Sequence, residues 1–131
     1  MPLLKLKFDP KVGAIIPVVL EYKDEGEKKS HKTRALIDTG ASSTCVSGRL
    51  IKTLGLSPDE ETVPITGTTG KMESRTFSVD IVLAIDIEEF SFGCQLVEYN
   101  ETSPTYDILL GRDILQHFLL QTHGSDGLIG Y

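Results

Sequence analysis

Ala35-Leu36-Ile37-Asp38-Thr39-Gly40-Ala41-Ser42 is the stretch that decides how this chain reads. Three apolar residues lead into a carboxylate, and a hydroxyl, a glycine and two small residues follow it. A strand that ends in an acid fixes the carboxylate at the floor of a cleft. Gly40 lets a second backbone approach closely, and the Thr39 hydroxyl can hydrogen-bond to hold the loop. Chemistry in which a carboxylate activates water needs that setting. From average residue usage, Asp38-Thr39-Gly40 arises by chance in about 3% of chains this long, so alone it decides nothing. Asp and Gly also suit a strand-ending turn.

Outward from this stretch the pattern is of strands. Upstream, Met1 to Lys7 alternates apolar and charged residues, and Gly13 to Tyr22 carries the β-branched run of a buried strand. Pro17 within that run favours an edge or a bulge. The charged turn from Lys23 to Lys29, with Gly26 able to take a positive φ, joins it to a strand over Lys32 to Ile37. Downstream, Thr44 to Val46 is extended. Ser47 can cap a helix over Gly48 to Leu54, which Gly55 stops. Further strands fall near Thr62 to Thr66, Lys71 to Ile87 and Phe90 to Tyr99, with a Gly67-Thr68-Thr69-Gly70 turn between the first two. Tyr106 to Leu110 is a short apolar strand, and Asp113 to His117 suits one or two helical turns. Phe118 to Gln121 and Leu128 to Tyr131 flank a turn over His123 to Gly127. The expected class is all-β, with residues 1–131 forming one domain.

The second informative piece is Asp107-Ile108-Leu109-Leu110-Gly111-Arg112-Asp113-Ile114-Leu115, an apolar strand, a glycine and a helix start. Together with Ala35 to Ser42, in this order and at this separation, it resembles the retropepsin family of aspartic proteases, which includes the retroviral proteases. Leu109, Leu110, Gly111 and Arg112 match the structural motif that packs against the catalytic loop in that family. The resemblance spans about Val12 to Leu128. It implies a single-lobed, closed β barrel with one or two short helices that works as a homodimer. It also implies an aspartic endopeptidase acting on polypeptide, with Asp38, Thr39 and Gly40 as catalytic-loop residues. Thr66, Gly67, Thr68, Thr69 and Gly70 stand where the family carries its flap, a hairpin that closes over substrate, and Ala41 would line the cleft.

Hydrolysis by this chemistry needs two carboxyl groups sharing one proton, because close carboxylates cannot both ionise cheaply. This chain has one Asp-Thr-Gly. Asp126-Gly127 reads as a turn and Asp107 belongs to the second motif, so the mate of Asp38 is expected from another copy across a two-fold axis. Two departures stand out. Retroviral members usually carry an acid directly after Asp-Thr-Gly-Ala, to pair with the arginine of the Gly-Arg motif. Here that position is Ser42, so Arg112 needs another partner or a backbone carbonyl. The portion after Phe118 is also longer, so the dimer contact is expected to differ.

Composition excludes several other classes. A net charge of −6 with mixed signs lacks the clustered positive charge that a nucleic-acid surface needs. No run approaches the roughly 20 apolar residues of a membrane span. The N-terminus lacks the apolar stretch of a signal peptide, and a cytoplasmic location is expected. Cys45 and Cys94 read as buried thiols, Cys45 being also a candidate for a substrate pocket. His31, His117 and His123 have no metal-ligand spacing, so no metal or other cofactor is expected. Asp86, Glu88 and Glu89 read as a solvated turn. A catalytically silent peptide-binding or dimerisation module of the same fold is the alternative; turnover separates the two.

Overall fold

The computed structural model describes residues 2–60, 62–67, 70–100 and 103–131. In chain order the elements are β1 (Leu3–Asp9), β2 (Gly13–Asp24), β3 (Glu27–Ile37), β4 (Cys45–Ser47), α1 (Gly48–Leu54), β5 (Thr62–Gly67) and β6 (Gly70–Ile85). There follow β7 (Glu88–Tyr99), β8 (Ile108–Leu110), α2 (Arg112–Leu115), β9 (Leu119–His123) and β10 (Asp126–Gly130). The class is all-β with few helices, as the hydrophobic pattern requires.

Period-two burial builds the core. Ala14, Ile16, Val18 and Leu20 of β2 point inward, as do Phe77, Val79, Ile81, Leu83 and Ile85 of β6. They meet Ala35 and Ile37 of β3 and Ile108 and Leu110 of β8 in one cluster. Each of the Val, Leu, Ile and Phe side chains among them contributes about 1.5–3 kcal/mol when fully buried. Hydrogen-bonded neighbours run in the order β5-β6-β7-β4-β8-β3-β2-β1-β10-β9, and β6 also pairs with β2. The pairings from β6 through β7, β4, β8, β3 and β2 therefore return to β6. The β1-β10-β9 strands extend from one side of that ring and β5 from another. β3 with β8 and β4 with β7 are the parallel pairs.

Pro17 sits where β2 has one open edge, between its pairing to β1 at Gly13 and Ala14 and its pairing to β6 from Val19 to Glu21. Its missing N–H therefore faces no partner strand.

Several element ends differ from the sequence expectation, each for a local reason. β3 starts at Glu27, not Lys32, because Glu25 (φ 51°) and Gly26 (φ 81°) both take left-handed conformations. That two-residue turn matches strand twist and lets pairing run to its base, Asp24 opposite Glu27. β6 stops at Ile85 because Asp86 also takes a positive φ, 58°; Asp86, Glu88 and Glu89 are exposed there. α1 has the expected bounds. Ser47 Oγ accepts the Leu50 N–H at 3.2 Å, and Gly55 ends the helix in the left-handed region at φ 65°. α2 is a single turn beginning one residue early, at Arg112, because the Gly111 carbonyl already accepts from Ile114 and Leu115. The C-terminal hairpin is longer than expected. Its turn is only Gly124-Ser125, with His123 opposite Asp126.

Candidate active site

Asp38 follows directly on β3. The strand is parallel to β8, with Ile37 beside Leu110, and the Asp38 N–H continues the ladder by donating to the Leu110 carbonyl at 3.0 Å. The two sequence motifs are therefore adjacent, and the apolar Leu109-Leu110 strand braces the carboxylate from one side. The loop then folds back on itself. Gly40 N–H donates to Asp38 Oδ1 at 3.0 Å, and Ala41 N–H to the Asp38 carbonyl at 3.2 Å. Asp38 is half-buried, while Thr39 and Gly40 are exposed. One carboxylate oxygen is thus fixed by backbone. A Cβ on Gly40 would lie 3.2 Å from Oδ1, tighter than an ordinary contact.

Gly111 holds the loop from beneath. A Cβ there would lie 2.6 Å from both the carbonyl carbon and oxygen of Ser43, so the glycine is required by space. Its φ is an ordinary −93°. Next to it, Arg112 N–H donates to the Ala41 carbonyl at 2.8 Å, and an Arg112 guanidinium nitrogen to the Thr39 carbonyl at 2.9 Å. With Ser42 in place of an acid, the arginine bonds to backbone and still ties Thr39 down.

The sequence did not single out the pair that locks this arrangement. Thr44, fully buried, donates through Oγ1 to Asp113 Oδ1 at 2.7 Å and through its N–H to Oδ2 at 3.1 Å. Its hydroxyl oxygen accepts from Gly111 N–H at 3.1 Å. Thr44 and Asp113 are 69 residues apart. The only local signal is an acid placed to start α2 just after Gly-Arg, and that reads equally well as an ordinary first-turn acid.

The other acids considered stand elsewhere. Asp107 accepts from Ser47 Oγ at 2.9 Å and from Arg49 at 2.7 and 3.2 Å, closing the base of α1. Asp126 is an exposed partner of Lys7 at 2.7 Å; that hydrogen bond and the lysine charge lower its carboxyl from the ordinary value.

Beside the Asp38 loop lies a cleft of about 750 Å³ whose lining includes Gly40, Ala41, Cys45, Pro64, Phe92 and Cys94. Cys45 is half-buried and faces this cleft, and both cysteines are free thiols. Burial pushes Cys45 up to about 11, with the Asp113 and Asp38 charges adding to the effect. Burial likewise pushes Cys94 up to about 12, helped by Asp113. Across the cleft, β5 and β6 form a hairpin with Gly67 opposite Gly70. Thr66, Gly67 and Gly70 thus lie in its paired backbone, while Thr68 and Thr69 lie outside the described residues. Among the described residues no His, Cys, Asp or Glu group stands in a metal-binding cluster, and no helix is long and apolar enough to cross a membrane.

A family model described as gag-polyprotein putative aspartyl protease matches residues 25–117, which include both motifs. A retropepsin-like aspartic protease from Rickettsia conorii has a similar solved structure, with a TM-score of 0.61 at 14% identity, over 98% of this chain and 90% of that one. The solution structure of Simian Foamy Virus (mac) protease gives a TM-score of 0.45 at 19% identity, over 77% of this chain and 92% of that one. Comparison with curated proteins finds no sequence match.

Proposed function

Because the chain belongs to the gag-polyprotein putative aspartyl protease family, a retropepsin-like group, we propose that it is an aspartic endopeptidase. Its active site forms between two copies, each a closed barrel contributing one Asp38. The observation that carries this reading is the state of Asp38 itself. It is half-exposed at the end of an apolar strand, with one carboxylate oxygen held by Gly40 N–H at 3.0 Å. Asp107 and Asp126 are committed to partners elsewhere.

Two such carboxyls side by side share one proton. The ionised one takes a proton from a water as its oxygen attacks the scissile carbonyl carbon. The protonated one gives its proton to the carbonyl oxygen, which yields a tetrahedral diol. Return of a proton to the amide nitrogen lets the C–N bond break, leaving a new carboxyl and a new amine. The fold supplies positioning. Gly40 fixes the carboxylate's rotation, and Arg112 and Gly111 fix the loop, so little reorganisation is needed in the transition state.

Extended polypeptide is the substrate class, laid as an added strand between the catalytic loop and the β5–β6 hairpin. The end of the β5–β6 hairpin, where Gly67 pairs with Gly70, closes over it as a flap, and Ala41 and Cys45 form part of the wall. The test is incubation of the protein and its Asp38→Asn variant with unfolded polypeptides from mildly acidic to neutral pH, with cuts mapped by mass spectrometry. Cuts made only by the wild type support the reading. A well-folded dimer that cuts nothing would assign the chain to the silent peptide-binding alternative.

A further inference from the structure

The cleft beside the Asp38 loop has a charge pattern that the hydrolytic chemistry does not use. Asp113 is the one acid in its lining, which contains no lysine or arginine among the described residues. The half-buried Asp113 carboxylate is held by neutral groups. Its Oδ1 accepts from Thr44 Oγ1 at 2.7 Å and Ile114 N–H at 3.0 Å, and its Oδ2 from Thr44 N–H at 3.1 Å. The remaining donor is the Cys94 thiol, 3.8 Å from Oδ2. A carboxylate has about four acceptor sites and a thiol is a weak donor, so Oδ2 can take a stronger one. Behind the lining residues Thr76 and Gln95 stands Asp59, whose Oδ2 accepts from their side chains at 2.8 and 3.4 Å. Asp38, Asp59 and Asp113 thus stand in or around one cleft, and among the described residues none pairs with a lysine or arginine. Burial is the main reason the Cys45 and Cys94 thiols titrate high, and the Asp113 charge comes next, so its field reaches into the cleft.

We propose that this cleft selects an arginine side chain of the substrate polypeptide, and that Asp113 is the residue that determines the choice. The proposal rests on the protease reading above and names the side chain that its cleft takes. A half-buried carboxylate has lost part of its water and gained no counter-charge. A cation entering the cleft supplies one. Phe92 and His117, both in the lining, stack with centroids 5.1 Å apart and an interplanar angle of 18°. That flat aromatic wall suits a planar guanidinium better than a compact ammonium. The guanidinium donates to Asp113 Oδ2, and the stem lies along the wall. Citrulline has nearly the same shape without the charge, so it separates charge from size.

The test is a series of peptide pairs, each pair carrying arginine or citrulline at one position near the scissile bond. At one such position the wild type is expected to cut the arginine member about tenfold faster in kcat/KM. Asp113→Asn can still accept from the Thr44 N–H and donate to its hydroxyl, and it should bring that ratio close to unity. A role confined to holding the loop would slow both members together; an unchanged ratio in Asp113→Asn overturns the proposal. So does a wild type with no arginine preference at any position. Should Asp113→Asn fail to fold, Gln95→Lys decides, because it adds an ammonium to an exposed part of the lining. It should reduce the ratio severalfold, and no reduction overturns the proposal. The Asp38→Asn protein reads the cleft without turnover. By fluorescence anisotropy it should bind the arginine peptide about tenfold more tightly than its citrulline partner. That binding result, beside a wild type that cuts nothing, leaves the cleft assignment standing and removes the protease reading. Equal binding of the two peptides overturns the assignment.

Discussion

Gly111→Ala isolates the coupling between the two sequence motifs. The new methyl would sit 2.6 Å from the carbonyl carbon and oxygen of Ser43 and 3.0 Å from the Ala41 carbonyl oxygen. Ordinary contacts begin near 3.4 Å, so the loop or the strand must shift by close to an ångström. All three atoms are backbone and cannot swing aside. Overpacking of this kind costs about 1–3 kcal/mol. The shift also strains the Arg112 N–H to Ala41 carbonyl bond at 2.8 Å and the Gly111 N–H to Thr44 bond at 3.1 Å, each worth about 1 kcal/mol. A total near 2–4 kcal/mol should lower the melting temperature of a domain this size by about 10 °C. Activity should fall further than stability. The same loop aims Asp38, and a misplacement of about 1 Å costs on the order of a hundredfold. Thermal denaturation and kcat/KM, measured well below the melting point, read the two effects apart. Gly48→Ala is the control, since its methyl meets only a Glu98 oxygen at 3.7 Å in the first turn of α1; stability should hold or rise by up to about 1 kcal/mol. A Gly111→Ala protein that melts and cuts like the wild type would refute the reasoning.

Three other outcomes follow from the same geometry. Thr44→Val keeps shape but leaves the Asp113 carboxylate and the Gly111 N–H short of a partner, at a cost of about 2–4 kcal/mol in chemical denaturation; Thr44→Ser should restore most of it. Cys45 and Cys94, raised to about 11 and about 12, stay protonated at pH 8. Their alkylation in the native protein should be far slower than in the unfolded chain, and equal rates would contradict the burial described. The proposed mechanism needs one protonated and one ionised carboxyl, so kcat/KM is expected to decline above neutrality; a rate still climbing there would speak against carboxyl chemistry.

Some of this molecule is written locally and some only in the fold. The run Ala35 to Ser42 and the Leu-Leu-Gly-Arg stretch show in sequence because each needs particular residues at consecutive positions: an apolar strand, an acid, a glycine where backbones touch. α1 is legible for the same reason, its cap at Ser47 and its stop at Gly55 lying within eight residues. The Thr44–Asp113 lock is not, because nothing local distinguishes a threonine that will be fully buried beside a carboxylate 69 residues away. The β2–β3 hairpin tip was underestimated because Glu25 joins Gly26 at positive φ, a conformation a glutamate seldom takes alone. The parallel pairing of β3 with β8, which makes one site of two motifs, is a long-range property that no periodicity announces.

Subunit mixing tests the central claim most directly. The claim is that a working site needs one Asp38 from each of two chains. A fixed amount of wild type is allowed to exchange subunits with an equal amount of Asp38→Asn protein, and peptide cleavage is followed. Random pairing leaves half of the wild-type chains with an inactive mate, so activity should fall to about half and continue down as more variant is added. Activity unchanged by the variant, with exchange verified, would mean that one chain carries a complete site and that the account is wrong.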